Sequence, residues 1–279
     1  MLDIFRTLAD GLDHPEGLAW APNGKIYTGG TNGQIYEVSL AGDVREIART
    51  GGLILGIAVD GAGRVYACHS TQQRVIRVDP ADGSVETFFA GTPDRPVQAP
   101  NWAVFDAGGT MYLTDSGGWE ADDGVVFRIR PDGSASVWTD EPRCFANGAA
   151  LSPDGSALYV VESTAPGVCR IPIQADGSAG ARELFVELPG TVPDGIAFGA
   201  DGTLFVACYR PDRIYAVSPD GSASVLADDP RGVVLAAPTN VAFVGAALET
   251  LVVASLGRWH LAAVDLGIKG APLNYPMVP

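Results

Sequence analysis

The sequence predicts an all-β fold, a six-bladed β-propeller, on three observations. A polar head residue, a short apolar strand, a Gly-containing turn and a second apolar strand recur along most of the chain. VPDGIAFGADGTLFVA, Val192 to Ala207, shows the unit most clearly. The heads fall at Glu16 (PEGLAW), Leu55 (LGIAVD), Asn101 (PNWAVFD), Asn147 (ANGAALS), Asp194 (PDGIAFG) and Asn240 (TNVAFVG), at intervals of 39, 46, 46, 47 and 46 residues. A period of that length with several short strands in each repeat is the signature of a propeller blade. Composition agrees, because 35 Gly and 20 Pro in 279 residues leave no long helical pattern, while 47% hydrophobic content supports a large core. Six units fill residues 1–279 as one domain.

Taken in order, the N-terminal Ile4 to Asp10 resembles the fourth strands Val44 to Arg49 and Ala223 to Asp229 and precedes the first head. The last unit ends after its third strand, His260 to Asp265, so the N-terminal segment is expected to supply the missing outer strand and spare the sheet an open edge. The fifth unit sets the pattern for the others, with strands at Gly195 to Phe198, Leu204 to Ala207, Ile214 to Val217 and Ala223 to Ala227. Asp-Gly pairs at 201–202 and 220–221 tolerate the positive φ that tight hairpins require. The second and third units repeat this at Asp79-Pro-Ala-Asp-Gly-Ser and Arg130-Pro-Asp-Gly-Ser.

A formal net charge of −15 argues against nucleic acid and anionic membrane as partners, since both demand clustered Lys and Arg. It suits a solvated acidic surface or a protein that holds a cation. Cys68, Cys144, Cys169 and Cys208 show neither CxxC spacing nor a His at ligand distance, and read as buried thiols. The start MLDIFRTLADG carries an acid at position 3 and no long apolar run, so the expectation is no signal peptide, no transmembrane segment and a cytoplasmic protein.

In a propeller the innermost strand of each blade lines the channel, so residues at one repeat position form a ring. The ring reads Glu16, Leu55, Asn101, Asn147, Asp194 and Asn240, five oxygen-bearing side chains of six. Asn or Asp ahead of Gly is an ordinary turn former, and each alone reads that way; Glu16 fits such a turn poorly. Two carboxylates and several amides near one axis would repel or go unsatisfied without positive charge between them. A bound divalent cation is therefore expected. All-oxygen donors favour calcium, and manganese, magnesium, zinc or ferrous iron fit the same set. Loops between second and third strands should open on the ring's face. They offer His69, Trp119, Tyr209, Arg210, Trp259 and His260 as a wall for a small organic substrate, although histidines there also serve as loop supports and tryptophans as packing.

The six-fold pattern, with HPEGLAW, FANGAALSPDGSALYV and VPDGIAFGADGTLFVA at the heads, resembles the senescence-marker-protein/gluconolactonase family, itself similar to the squid-type diisopropylfluorophosphatase. The resemblance implies a propeller with one catalytic divalent cation in the channel. It implies Glu16, Asn147 and Asp194 as metal ligands, Asn101 as a ligand or substrate contact, and Asp194 as general base or nucleophile. Sugar lactonases often read Arg-Pro-Asn-Asp at the third head, the Arg binding the sugar lactone, whereas this chain reads Ala99-Pro100-Asn101-Trp102. The departure points to a less hydroxylated lactone or another ester. The expected activity is metal-assisted lactone hydrolysis, with Asp194 taking a proton from attacking water. A phosphotriesterase-like hydrolase at the same site, and a non-catalytic binding propeller with a structural ion, remain the alternatives.

Overall fold

The computed structural model describes residues 2–279; Met1, the first residue of the expected domain, lies outside the described residues. Among the described residues there are 24 strands and one short 3-10 helix at Leu2–Ile4, and no helix is long and apolar enough to cross a membrane. The strands form six four-stranded antiparallel sheets arranged as the blades of a propeller. Their inner strands are Leu18–Trp20, Ile54–Val59, Pro100–Phe105, Ala146–Leu151, Val192–Phe198 and Pro238–Val244. The N-terminal strand Arg6–Asp10 pairs with His260–Asp265, with Arg6 opposite Ala263 and Asp10 opposite His260, and completes the sixth blade as expected.

Successive side chains on a strand point to opposite faces, so a strand between two blades must be apolar on both. Val65–His69 and Met111–Asp115 are accordingly buried at every position, while the outer strand Ala223–Asp228 is mostly exposed. Six apolar clusters fill the six spaces between neighbouring blades. Tyr66, Phe89, Phe105 and Phe127 pack between the second and third blades, and Phe205, Val241, Phe243 and Leu251 between the fifth and sixth. Burying each such side chain contributes about 1.5–3 kcal/mol, so it is the blade interfaces that hold the ring together. Cys68, Cys169 and Cys208 are buried free thiols in these interfaces, whereas Cys144 is only half-buried.

Two expectations about the heads are corrected. The sequence reading began the fifth inner strand at Gly195, with Asp194 ahead of it, but the strand runs from Val192 to Phe198 and contains both. Pro193 pairs with Cys208 and Ile196 with Val206, so Asp194 and Gly195 lie in a bulge. Leu55 with Gly56, Asn101, and Asn147 with Gly148 fall in the same interruption of their own strands. Glycine follows the head because adjacent blades meet there. A Cβ on Gly148 would sit 2.3 Å from the Asp194 carbonyl oxygen, and one on Gly195 2.6 Å from that of Thr239.

The second correction concerns the sixth head. Phe105, Phe198 and Phe243 pair with Met111, Leu204 and Leu251 at the same point of their blades, and counting four residues back from each gives Asn101, Asp194 and Thr239. The sixth ring member is therefore Thr239. Asn240 occupies the position that is glycine in four blades and Trp102 in the third.

Beyond the last strand the chain crosses the channel mouth opposite the ring. Ala271 N donates to Phe198 O (2.9 Å), Asn274 Nδ2 to Phe105 O (3.1 Å), Tyr275 Oη to Trp20 O (2.8 Å), and Gly61 N to Pro276 O (2.8 Å). The strap roofs a channel cavity of about 530 Å³ walled by Trp20, Trp102, Phe105, Phe198 and Phe243. The loops on the ring's own face thus frame the approach to the ring.

Candidate metal centre and active site

Bulges re-aim side chains away from the ladder. Here they present Asn101, Asn147 and Asp194 from three inner strands, while Glu16 precedes the first; all four are buried, Glu16 to 7% and Asp194 to 8% exposure. Burial pushes both carboxyl groups well above the ordinary carboxylate range. The Asp194 charge pushes Glu16 further, and the neighbouring Asn147 amide offsets part of the effect on Asp194. Without positive charge between them the two acids would resist ionising together.

The asparagines are oriented by serines. Ser163 Oγ donates its proton to the Pro193 carbonyl (2.7 Å), so it accepts from Asn147 Nδ2 at 3.0 Å. Ser116 Oγ donates to Ala146 O (2.7 Å) and accepts from Asn101 Nδ2 (2.9 Å) in the same way. Each serine ties its blade to the next and engages the amide nitrogen, leaving the amide oxygen as a candidate donor atom for a metal. Asn147 Oδ1 and Glu16 Oε2 are buried with no hydrogen-bond partner among the described residues. Such orphaned atoms are rare in native interiors and call for an ion or water. Among the described residues no three of His, Cys, Asp and Glu cluster. Two carboxylates with amide oxygens, and neither sulfur nor imidazole, are the donor set of a hard divalent cation. The residues present fit one.

Further groups fix the strands that carry the donors. Asp13 lies 2.7 Å from His14 Nδ1 and accepts from Thr31, Asn32 and Gln34. Burial would raise its pKa, but these hydrogen bonds, with His14 the largest, outweigh burial and hold it well below the usual range, anchoring the approach to Glu16. Asp115 accepts the N–H groups of Gln98 (2.8 Å) and Ala99 (2.6 Å), just ahead of Asn101. Glu162, buried, pairs with Arg182.

The expected substrate wall divides. Tyr209 is half-buried at the repeat position of Ser116 and Ser163, and Arg210 lies over its ring at 4.5 Å. Trp119 and Trp259 are 54% and 60% exposed, edge-on to Phe145 and His14. His69 is wholly buried, its Nδ1 accepting from Gln72 N (3.2 Å), with burial lowering its pKa. His260 sits on the third strand of its blade, two strands out from the axis, with Nε2 2.8 Å from Val234 O, which makes it a loop anchor. The sequence reading put Ser116 and Ser163 in the loops beside the ring but gave them no role. Their signal was the repeated His-Ser, Asp-Ser and Glu-Ser pairs at 69–70, 115–116 and 162–163, the serine 15 or 16 residues after the heads at Leu55, Asn101 and Asn147.

A family described as SMP-30/Gluconolactonase/LRE-like region matches residues 14–257. A gluconolactonase of Zymomonas mobilis is 27% identical over 186 residues, covering 60% of this chain and 51% of that protein. The chain spans about half the length of the curated relatives it matches first. Among solved structures, a gluconolactonase from Xanthomonas campestris superposes with a TM-score of 0.81 at 22% identity, covering 94% of this chain and 89% of that one. A calcium-binding protein, regucalcin, from Agrobacterium tumefaciens does so at 0.76 and 18% identity, covering 98% and 97%. At those identities the two structures speak for the shared fold.

Proposed function

We propose that this chain, which belongs to the SMP-30/gluconolactonase/LRE-like family, hydrolyses lactones at the ring, with Glu16, Asn147, Asp194 and Asn101 holding one divalent cation. The observation that carries the reading is the pair of orphaned donors, Glu16 Oε2 and Asn147 Oδ1, beside a second buried carboxylate. A cation held there supplies the charge that keeps both acids ionised and a Lewis acid for the ester carbonyl, with calcium the first candidate.

The chain's own residues supply the rest. Ser116 and Ser163 hold the two amides in place. Asp194, as carboxylate, accepts a proton from water as the water oxygen bonds to the carbonyl carbon; the proton passes to the ring oxygen as the ester C–O bond breaks, leaving a hydroxy acid. Ala99 and Trp102 stand where sugar lactonases often carry an Arg and an acid, and the absence of both favours a lactone with few hydroxyls.

Metal analysis of the purified protein, followed by assays with each metal restored, tests the reading. The expected result is one divalent ion per chain and lactone turnover that chelation removes and metal returns. A phosphotriester in the same panel separates that chemistry. No turnover of any lactone by the reconstituted protein would contradict the proposal. Ser163→Ala, which frees the Asn147 amide, should weaken cation affinity about 10–100-fold in calorimetric titration; an unchanged affinity would remove Asn147 from the ligand set.

A further inference from the structure

Resting on the lactonase reading, we infer that the substrate carries an anionic substituent, a carboxylate or a phosphate, received by Arg231 and Arg258 on the rim between the fifth and sixth blades. A cleft of about 520 Å³ lies there, walled by Arg210, Asp212, Asp229, Arg231, Ala236 and Gly257. It adjoins the ring. Cys208, just before Tyr209 and Arg210, pairs with Pro193 beside Asp194, and Ala237 lies two residues ahead of Thr239, whose hydroxyl donates to the Glu16 carbonyl (3.1 Å).

The chain has a net charge of −15, and its arginines mostly face carboxylates; Arg210, for example, meets Asp212 at 2.8 Å. Arg231 and Arg258 are exposed and have no side-chain partner among the described residues. The acids nearby are already committed. Asp229, 2% exposed, accepts the N–H groups of Val233 (2.8 Å), Val234 (2.6 Å) and Leu235 (2.9 Å). Asp212 accepts from Ala237 N (2.8 Å) as well as from Arg210.

The loops bearing the two guanidiniums are also locked together. Gly257 N donates to Ala236 O (2.8 Å), Leu256 N donates to Ala237 O (3.1 Å), and His260 holds Val234 O. Ala236 and Ala237 are consecutive non-glycine residues at φ of +50° and +56°, a costly conformation that persists only where its surroundings over-determine it and that gathers at functional sites. The rigid backbone frame carries two unpaired arginines on adjoining loops, Arg231 on the cleft wall and Arg258 next in the chain to Gly257 of that wall, and an anion at the rim would pair with them. Across the mouth, the loop of Trp119 carries Glu120, Asp122 and Asp123, so the rim is polarised and would orient an anionic substrate in one direction.

The test compares kcat/KM of the metal-loaded protein for a neutral γ-lactone and for the same lactone bearing a carboxylate or a phosphate. The wild type should favour an anionic lactone by about tenfold or more, and high salt should erode that preference. In the Arg231→Gln/Arg258→Gln variant the anionic-to-neutral ratio should fall towards one, through KM. The carboxylate and phosphate arms identify which anion is read. Equal values for neutral and anionic lactones in the wild type, or a ratio untouched by the double variant, would overturn the inference. If no lactone is turned over, the lactonase reading fails on its own, and calorimetric titration with the ring-opened dicarboxylate decides the site: binding lost in the variant upholds it, and no binding by the wild type overturns it.

Discussion

Asp194→Asn should abolish turnover while leaving the propeller intact and, in cation-free protein, more stable than the wild type. The loss in kcat should reach at least about 10³-fold, because on the proposed mechanism the substitution removes the proton acceptor and one of two anionic ligands together. The fold has no reason to suffer. Asparagine already stands at the same ring position in two other blades, at Asn101 and Asn147, in the same strand bulge. The stability gain follows from burial, which pushes both carboxyl groups above their ordinary range, and from the Asp194 charge, which pushes Glu16 further. Each pKa unit by which folding raises a carboxyl costs about 1.4 kcal/mol once the solution pH exceeds the raised value, and the variant relieves that cost. Denaturant titration in chelator, beside steady-state kinetics, checks both halves. Retained turnover would remove Asp194 from the chemistry, and a destabilised cation-free variant would remove the electrostatic account of the ring.

Stability should also respond to pH in opposite senses with and without the cation. A carboxyl whose pKa is raised by folding contributes its stability below the unfolded pKa and loses it as pH climbs through the folded one. Both acids are raised, so the cation-free protein should weaken as pH rises from about 4, the unfolded carboxylate range, through neutrality. A cation competes with protons for the same oxygens, so its affinity and its stabilisation grow with pH. At a hundredfold excess over Kd the gain is about 2.7 kcal/mol, or roughly 5–10 °C in Tm for a domain of this size. Scanning calorimetry across pH, in chelator and in calcium, should give curves that diverge upward in pH. Parallel curves would mean that the ion, if bound, does not sit between these two acids.

The architecture was legible in the sequence because each blade repeats its apolar strands and Asp-Gly turns at near-constant spacing, and burial on both faces permits little else. The closing strand was legible too, since Arg6–Asp10 pairs with the third strand of the last blade. The register of the sixth head is easily mis-set, because Thr239 and Asn240 are adjacent and both polar, yet Pro238–Phe243 (PTNVAF) aligns with Pro193–Phe198 (PDGIAF), and the pairing of Pro238 with Ser255 and Asn240 with Ala254 leaves Thr239 in the bulge. The glycines after the heads read as turn residues because sequence does not reveal that a neighbouring blade's backbone passes within 3 Å of where a Cβ would lie. The role of Ser163 depends on the Pro193 carbonyl, 30 residues away in sequence and in the next blade. His260 looked like a candidate for the wall because its loop faces the right way, but its ring is spent on Val234.

The most direct test of the ring as a cation centre is an anomalous-difference map from crystals of the protein soaked in manganese. One peak bounded by Glu16 Oε2, Asn147 Oδ1 and the Asp194 carboxylate, absent from Glu16→Gln crystals treated alike, is the result expected. An empty ring in fully soaked crystals, or manganese bound only elsewhere on the acidic surface, would contradict it.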